Sequence, residues 1–154
     1  MDKSHRTIAR KAIERLLEES SICERWMTTK VYTVGPSDTI AHARELLRQH
    51  RINHLPVVAG GTLLGIVSDR DLRDTAILDD TPVQTIMNHP PIALGCHSTL
   101  VNAAEVMRQQ RIGSVPIVSG NSLVGIATRS DILEAFVAYA CGRHKRLDAG
   151  HETP

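Results

Sequence analysis

Aromatic side chains are scarce in this chain of 154 residues, where they are limited to Trp26, Tyr32, Phe136 and Tyr139. Proteins that bind single-stranded nucleic acid stack successive bases on aromatic rings, and a protein of that class is expected to carry more of them. The composition therefore argues against a single-strand binder.

An excess of charge of one sign is also missing. The sequence has 18 Lys and Arg residues against 17 Asp and Glu residues, which gives a formal net charge of +1. Binding to a nucleic acid backbone or to an acidic membrane surface depends on a strongly basic surface. The sequence also lacks the recognition-helix signature of DNA-binding proteins. We therefore expect neither a nucleic acid nor a membrane surface as a partner.

Cysteine is rare, since Cys23, Cys96 and Cys141 are far apart and form no C-x-x-C pair. An odd, widely spaced set indicates neither a disulfide framework nor a four-thiolate zinc site, so we expect reduced thiols. His89 and His97 lie near Cys96 in the sequence, but no spacing supplies a fourth ligand. We therefore predict no metal site, while a metal-linked stress sensor stays open as an alternative.

Long apolar runs are absent as well. The first nineteen residues are charged and lack the continuous apolar core of a signal peptide, and no later run reaches the roughly 20 apolar residues of a membrane span. We therefore expect a cytoplasmic protein.

The N-terminal segment, residues 1–21, has an amphipathic pattern. Apolar residues recur at helical spacing from Thr7 to about Glu24, namely Ile8, Ala12, Leu16 and Leu17. We expect a helix that serves as a structural lid or as a dimer element.

The rest of the chain contains an internal repeat. Residues 65–71 read GIVSDRD, and residues 125–131 read GIATRSD. Segments 27–76 and 87–136 align without gaps at a constant offset of sixty residues, with identical pairs such as Met27/Met87, Gly35/Gly95, Thr39/Thr99, Pro56/Pro116, Gly65/Gly125 and Asp71/Asp131. Two units that cannot each bury a sheet alone should pack around a pseudo-twofold axis, with a cleft between them.

Each repeat predicts the element order β-α-β-β-α. In the first repeat we expect a short strand at 31–34, a helix from Ile40 to about His50, two strands at 55–58 and 63–67 around a hairpin turn, and a closing helix after Ser68.

The segments that flank the second repeat are also predictable. A polar connector leads to Thr81-Pro82-Val83-Gln84, which has the form of a helix start with a threonine cap. The final helix should end near Cys141, and the polar residues 142–154 should form a flexible tail.

Two interpretations of the repeated motif stay open. A helix start presents unsatisfied N–H groups and a partial positive charge, which favour anions such as phosphate. Ser68-x-x-Asp71 and Thr128-x-x-Asp131 also fit a capping box, in which the side chains only satisfy backbone N–H groups and add about 1 kcal/mol to stability.

These motifs resemble the cystathionine-β-synthase (CBS) domain, and specifically a tandem pair of CBS domains, the Bateman module. The matching segments are MTT at 27–29, RINHLPVV at 51–58 and GIVSDRDL at 65–72, with MNHP, RIGSVPIV and GIATRSDI in the second repeat. The resemblance implies an α/β fold of two β-α-β-β-α units packed through their sheets. We place repeat 1 at 22–78 and repeat 2 at 79–138.

The resemblance also implies a function. Such modules bind adenosine-containing ligands, chiefly AMP, ADP or ATP and sometimes S-adenosylmethionine or NAD, and they often form homodimers that report to an effector protein. They are ordinarily not enzymes, and nothing in this chain resembles a nucleophile elbow. We therefore expect a non-catalytic regulatory module without a catalytic cofactor; the alternative from another class is a dimerisation or protein-interaction module without bound nucleotide.

Carrying the family pattern over by position gives a principal pocket. Asp71 would bind the ribose, with Ser68, Arg70, His54 and Asn53 around the phosphate. The slot for the base would come from the other half, namely Met87, Ile92 and Ile112.

A second pocket follows from the repeat. It would use Asp131, Thr128, Ser130, Gly113 and Ser114 around the ribose and phosphate, and Met27, Tyr32 and Ile52 around the base. Ser114 and Ser130 stand where the first pocket has His54 and Arg70, so both potential cations are lost at the aligned positions. A missing charge-assisted contact is worth about 1.5–3 kcal/mol, and we expect the second pocket to bind phosphorylated ligands more weakly.

Overall fold

The structure is a computed structural model, and it describes residues 3–18, 25–73 and 76–141. The predicted tail at 142–154 and Cys23 lie outside the described residues. Within these ranges the α-helices are α1 (Lys3–Glu18), α2 (Ile40–His50), α3 (Leu100–Gln110) and α4 (Arg129–Ala140). The strands are β1 (His54–Ala59), β2 (Thr62–Ser68), β3 (Leu94–Gly95), β4 (Ser114–Ser119) and β5 (Ser122–Thr128).

The strands form one five-stranded sheet in the order β1-β2-β5-β4-β3. The antiparallel hairpins β1–β2 and β4–β5 belong to the two repeats, and they meet where Thr62 pairs with Ser122. Gly60, Gly61 and Gly120 adopt positive φ in the hairpin turns, which is a conformation that suits glycine. The mixed α/β fold with two related halves is confirmed.

The predicted helices α2 and α3 begin where a threonine caps them. The Thr39 side chain accepts a hydrogen bond from the His42 N–H, and Thr99 does the same for Asn102. Each of the two helices buries an apolar face, which includes Ile40 and Leu47 in the first repeat and Leu100 and Met107 in the second. Apolar periodicity predicted these helices, and their bounds match the prediction closely, while the threonine caps are local signals that the prediction did not use.

Three local predictions are wrong. After Ser68 the chain forms only the 3-10 turn Asp71–Arg73, and residues 74 and 75 are not described. The corresponding sequence in α4 is ILEAFVAYA, whereas the first repeat continues with polar and β-branched residues that favour helices less. Residues 31–34 contribute only a bridge between Val34 and Val57, and the turn Val83–Thr85 starts at Pro82 without the expected threonine cap.

The start of each repeat pairs with the sheet of the other repeat. The Thr28 N–H donates to the Ile126 carbonyl at 2.9 Å, and the Asn88 N–H donates to the Ile66 carbonyl at 2.9 Å. Both contacts are isolated bridges, and both are reciprocated by a second backbone hydrogen bond. This exchange joins the two halves through backbone hydrogen bonds.

Two glycines permit that exchange. A Cβ on Gly65 would lie 2.7 Å from the Met87 sulfur and 2.9 Å from the Asn88 carbonyl oxygen. A Cβ on Gly125 would overlap the Met27 side chain and would lie 3.1 Å from the Thr28 carbonyl oxygen. The repeated glycine is therefore needed for close approach of the opposite half.

Each repeat has its own core, and the helices form a third cluster. Leu55, Val57 and Val67 are buried in the first repeat, and Val115 and Ile117 are buried in the second. The third cluster contains Trp26, Leu100, Ala135 and Tyr139.

Helix α1 packs along α4. Its described part, Lys3–Glu18, begins before the predicted Thr7, and residues 19–24, which hold the rest of the predicted helix, are not described. Of the helices in the described ranges, none is both long and apolar enough to cross a membrane.

Candidate functional site

A cleft of about 1020 Å³ lies between the two repeats, and both repeats line it. Thirteen of the sixteen predicted ligand-binding residues line this cleft: Tyr32, Ile52, Asn53, His54, Ser68, Arg70, Asp71, Ile92, Ile112, Gly113, Ser114, Thr128 and Ser130. The other three, Met27, Met87 and Asp131, do not line it. The structure therefore joins the two predicted pockets into one continuous cleft.

The carboxylate of Asp71 is held at the cleft wall by its Oδ2 atom. This oxygen accepts hydrogen bonds from the Ser68 N–H at 2.8 Å, from the Ser68 hydroxyl at 2.6 Å and from the Asn88 amide at 3.2 Å. Oδ1 accepts none from the described residues. Capping therefore does not use the whole carboxylate, because Oδ1 keeps its capacity to accept a hydrogen bond.

Sequence reasoning missed Asn88. It belongs to the second repeat, yet its side chain reaches Asp71 because the repeats exchange their first residues. The aligned residue Thr28 also lines the cleft.

Asp131 is placed differently from Asp71. It closes a capping box with Thr128, whose N–H donates to Oδ2 at 2.6 Å and whose hydroxyl donates to Oδ2 at 2.8 Å. Because Asp131 does not line the cleft, the cap is the role that its contacts support.

His54 lines the cleft at the start of β1. Burial lowers its pKa from the usual 6.5, and the charges of Arg129 and Arg70 lower it further, while Asp71 and Asp69 act in the opposite direction. The imidazole is therefore mainly neutral at pH 7. The role of His54 as a cation of the first pocket stays a prediction, and its lowered pKa acts against that role in the ligand-free chain.

Positive charge is nevertheless concentrated in the cleft. Six Lys and Arg residues line it, against the two carboxylates of Asp69 and Asp71, so the difference is four positive charges. The six are Lys30, Arg51, Arg70, Arg73, Arg111 and Arg129. The chain as a whole carries only +1, so overall charge balance concealed this local excess.

The second half has not lost all of its cationic character. Arg129 aligns with Asp69, one position before the pair Arg70 and Ser130, and it lines the cleft. A comparison restricted to the aligned positions missed this displaced charge.

Arg51 and Arg111 occupy equivalent places at the ends of α2 and α3. Both have left-handed backbone conformations, with φ of 52° and 56°. This conformation costs a residue with a Cβ roughly 1–2 kcal/mol, and glycine or asparagine is more usual at such helix ends. The two arginines line the cleft in spite of this cost.

The Ser114 hydroxyl is an unsatisfied polar group at the cleft. Ser114 is 2% exposed, and its Oγ atom has no hydrogen-bond partner among the described residues. Buried hydroxyl groups in folded proteins are normally hydrogen-bonded. The described residues therefore leave this buried hydroxyl without a hydrogen-bond partner.

Tyr32 stacks on His50 with ring centroids 3.6 Å apart and an interplanar angle of 15°. It is 39% exposed and lines the cleft, and the aligned Ile92 also lines it at 40% exposure. Both side chains offer apolar surface at the cleft rim.

The described residues contain no cluster of three His, Cys, Asp or Glu side chains that could hold a metal ion. The side chains that line the cleft can form hydrogen bonds and ion pairs through one lysine, five arginines, several hydroxyl groups and two carboxylates.

The sequence model of the CBS domain family matches residues 20–77 and 83–138. The CBS domain-containing protein YhcV of Bacillus subtilis is 41% identical over 110 residues, which are 69% of this chain and 79% of YhcV.

Two solved structures have the same fold. The CBS domain pair of protein MJ0100, in complex with 5′-methylthioadenosine and S-adenosyl-L-methionine, has a TM-score of 0.71 and 26% identity, and the match covers 78% of this chain and 98% of that one. CBSX2 in complex with AMP has a TM-score of 0.67 and 27% identity, with coverage of 73% and 93%.

Proposed function

The chain belongs to the CBS domain family as a tandem pair, and from that premise we propose that it is a non-catalytic regulatory module that binds a phosphorylated adenosine nucleotide in the cleft between its repeats. The ligands that we propose are AMP, ADP and ATP. A bound nucleotide would shift the equilibrium between two arrangements of a homodimer, or of the surface that binds an effector protein. A ligand can shift such an equilibrium only if its affinity differs between the two arrangements.

The excess of positive charge in the cleft is the observation that carries this proposal. Six cationic side chains against two carboxylates favour an anionic ligand. The Asp71 Oδ1 atom supplies an acceptor for ribose hydroxyl groups, and the rim offers Tyr32 and Ile92 to a base.

The positive charge of the cleft also favours one of two classes of adenosine ligand over the other. The MJ0100 pair is in complex with S-adenosyl-L-methionine, which carries a sulfonium cation, and CBSX2 is in complex with AMP, which carries a phosphate. The arginine-rich cleft of this chain supports the phosphate-bearing class, because like charges repel.

Isothermal titration calorimetry with AMP, ADP, ATP, NAD and S-adenosylmethionine tests the proposal. We expect dissociation constants below millimolar for at least one phosphorylated nucleotide, and weaker binding of S-adenosylmethionine. If no phosphorylated nucleotide binds below millimolar, the proposal is wrong, even if S-adenosylmethionine binds.

We also propose a second candidate function, a dimerisation or interaction module. The observation that favours it is an apolar surface on the packed helices α1 and α4, where Ile8, Ile13, Leu133 and Val137 are each 47% exposed or more. Deleting residues 1–20 separates the candidates. Loss of the dimer in light scattering with nucleotide binding intact favours the interaction module, and loss of nucleotide binding opposes it.

A further inference from the structure

A second cavity, of about 420 Å³, lies beside helix α2. It is lined by α2, by residues 51–53 that follow α2, and by residues 69 and 72 around the 3-10 turn after β2. Residues 51–53 and 69 also line the cleft, whereas Arg44, Leu47, Arg48 and Leu72 line this cavity alone. The cavity therefore adjoins the cleft but is a separate site.

The two repeats differ at this place. In repeat 2, helix α4 packs against α3, and its residue Ile132 packs against the core of that repeat. In repeat 1 the aligned Leu72 lies in a 3-10 turn of three residues, and its carbonyl accepts a hydrogen bond from Arg44 Nε at 3.0 Å. A turn covers less of its neighbour than a helix of twelve residues. The described part of repeat 1 therefore leaves a groove beside α2.

Three arginines line this groove at helical spacing. Arg44, Arg48 and Arg51 follow one another at intervals of four and three residues, which places them along one face of α2 and its C-terminal end. The single carboxylate of the lining, Asp69, is already paired with Arg73. The lining therefore presents three guanidinium groups and no unpaired carboxylate.

The three guanidinium groups differ in how firmly the chain holds them. Arg44 is paired with Asp79 and is 31% exposed. Arg48 is 76% exposed and is paired with Glu45 on the surface, where an ion pair contributes little to stability. No carboxylate of the described residues lies within ion-pair distance of Arg51. Arg48 and Arg51 can therefore bind a carboxylate of another molecule.

Apolar side chains complete the lining. Leu47 and Leu72 are 5% and 4% exposed, and Ile52 is half-buried. Guanidinium groups form strong, often bidentate hydrogen bonds with carboxylates, and opposite charge across a contact favours the matching partner. An apolar floor flanked by arginines is therefore complementary to a peptide in which acidic side chains flank an apolar one.

We propose that this groove binds an acidic peptide segment of a partner protein. Carboxylates of the segment pair with Arg48 and Arg51, and an apolar side chain lies over Leu47 and Ile52. The inference goes beyond the proposed function, because peptide binding here needs no nucleotide in the cleft. The bound segment would lie against the turn that carries Asp71, so it would contact an element shared with the cleft.

Fluorescence polarisation on the ligand-free chain tests this proposal. The probe is a fluorescein-labelled peptide of sequence EELEELEE, and the uncharged reference peptide is QQLQQLQQ. The test variant is Arg48→Glu and the matched control is Arg108→Glu. Arg108 aligns with Arg48, is exposed on α3, follows a glutamate by three residues as Arg48 does, and lines neither cavity.

We expect the wild-type chain to bind the acidic peptide at least about tenfold more tightly than the reference peptide. Arg48→Glu should weaken binding of the acidic peptide by about tenfold or more, while Arg108→Glu should stay within about twofold of the wild-type chain. Arg48→Gln removes the charge without reversing it and should give a smaller loss. This milder variant decides the test if Arg48→Glu does not fold.

Three results would overturn the inference. The first is no binding of the acidic peptide below millimolar, or equal binding of the two peptides. The second is equal weakening by Arg48→Glu and Arg108→Glu, which would indicate a general effect of net charge. The third is unchanged binding in the Arg48 variants, which would place the peptide in the arginine-rich cleft instead.

Discussion

The two copies of the repeated motif differ in their position relative to the cleft. In the first repeat, GIVSDRD ends in a 3-10 turn, and Asp71 faces the cleft with one oxygen engaged in the cap and the other without a partner in the described chain. In the second, GIATRSD starts the twelve-residue helix α4, and Asp131 serves the capping box outside the cleft. The hydroxyl and carboxylate pair makes the same cap contacts in both repeats, but of the two aspartates only Asp71 lines the cleft.

Neutralising Asp71 and Asp131 in turn tests the difference between the two repeats most directly. Asp71→Asn should weaken binding of AMP and of adenosine alike by roughly ten- to a hundredfold, because it removes a charged acceptor for the ribose hydroxyl groups. Asp131→Asn should change either affinity by less than about threefold, which is under roughly 1 kcal/mol. Calorimetry on both variants measures the difference, and equal losses would show that the two half-sites are equivalent.

The next largest expected effect is on stability. It concerns the backbone pairing between the start of each repeat and the sheet of the other repeat. Gly65→Ala should reduce the free energy of unfolding by about 1–3 kcal/mol, since the added Cβ meets the Asn88 backbone and the Met87 sulfur at less than 3.0 Å. Gly125→Ala should cost somewhat less, because its nearest backbone atom is 3.1 Å away and the Met27 side chain can move. Urea unfolding measures both.

Gly95→Ala is the matched control, because no atom lies within 4 Å of its added Cβ. It should stay within about 0.5 kcal/mol of the wild-type chain. If Gly65→Ala is as stable as Gly95→Ala, the close approach of the two halves does not contribute to stability as described.

Much of the fold was predictable because its signals are local. The caps at Thr39 and Thr99, the apolar faces of α2 and α3, and the hairpin turns all lie within a few residues of the elements that they define. The short 3-10 turn after Ser68 was mispredicted because the motif itself is the same in both repeats, and only the weaker helix preference of the following residues distinguishes them.

The site was less predictable because it depends on contacts between the halves. Asn88 reaches Asp71 only through the exchanged backbone pairing, and Arg129 supplies its charge one position away from where alignment placed the lost cation. The neutral state of His54 follows from burial between the repeats, which no local pattern reports. Packing of the two repeats therefore determines the electrostatics of the cleft.

A smaller change in the free energy of unfolding is expected when either of two serines that line the cleft is substituted. Ser114→Ala should leave the free energy of unfolding unchanged or raise it by up to about 1 kcal/mol, because it removes a buried hydroxyl without a partner in the described chain. Ser68→Ala should lower it by about 1 kcal/mol, because the Ser68 hydroxyl bonds to Asp71. Thermal or urea unfolding of the ligand-free protein distinguishes them. Destabilisation by Ser114→Ala would indicate that its hydroxyl already has a partner.

The smallest expected effect is a change of stability with pH that arises from His54. Because burial lowers the pKa of His54 in the folded chain, the unfolded chain binds the proton first as the pH falls. Stability should therefore be unaffected by His54 above about pH 6.5 and should decrease from there downward until the pH passes the folded pKa. Asp71, Asp69, Arg70 and Arg129 act on this group and set the size of the decrease.

Unfolding measurements between pH 8 and pH 5 test this dependence on three proteins. His54→Gln should lose less stability on acidification than the wild-type chain, because glutamine has no proton to gain in this range. His42→Gln, which alters an exposed histidine on α2, should keep the wild-type decrease. If His54→Gln and the wild-type chain lose stability in parallel, the imidazole is not held neutral by the packing of the two repeats, and the cleft centre is more open to water than the structure indicates.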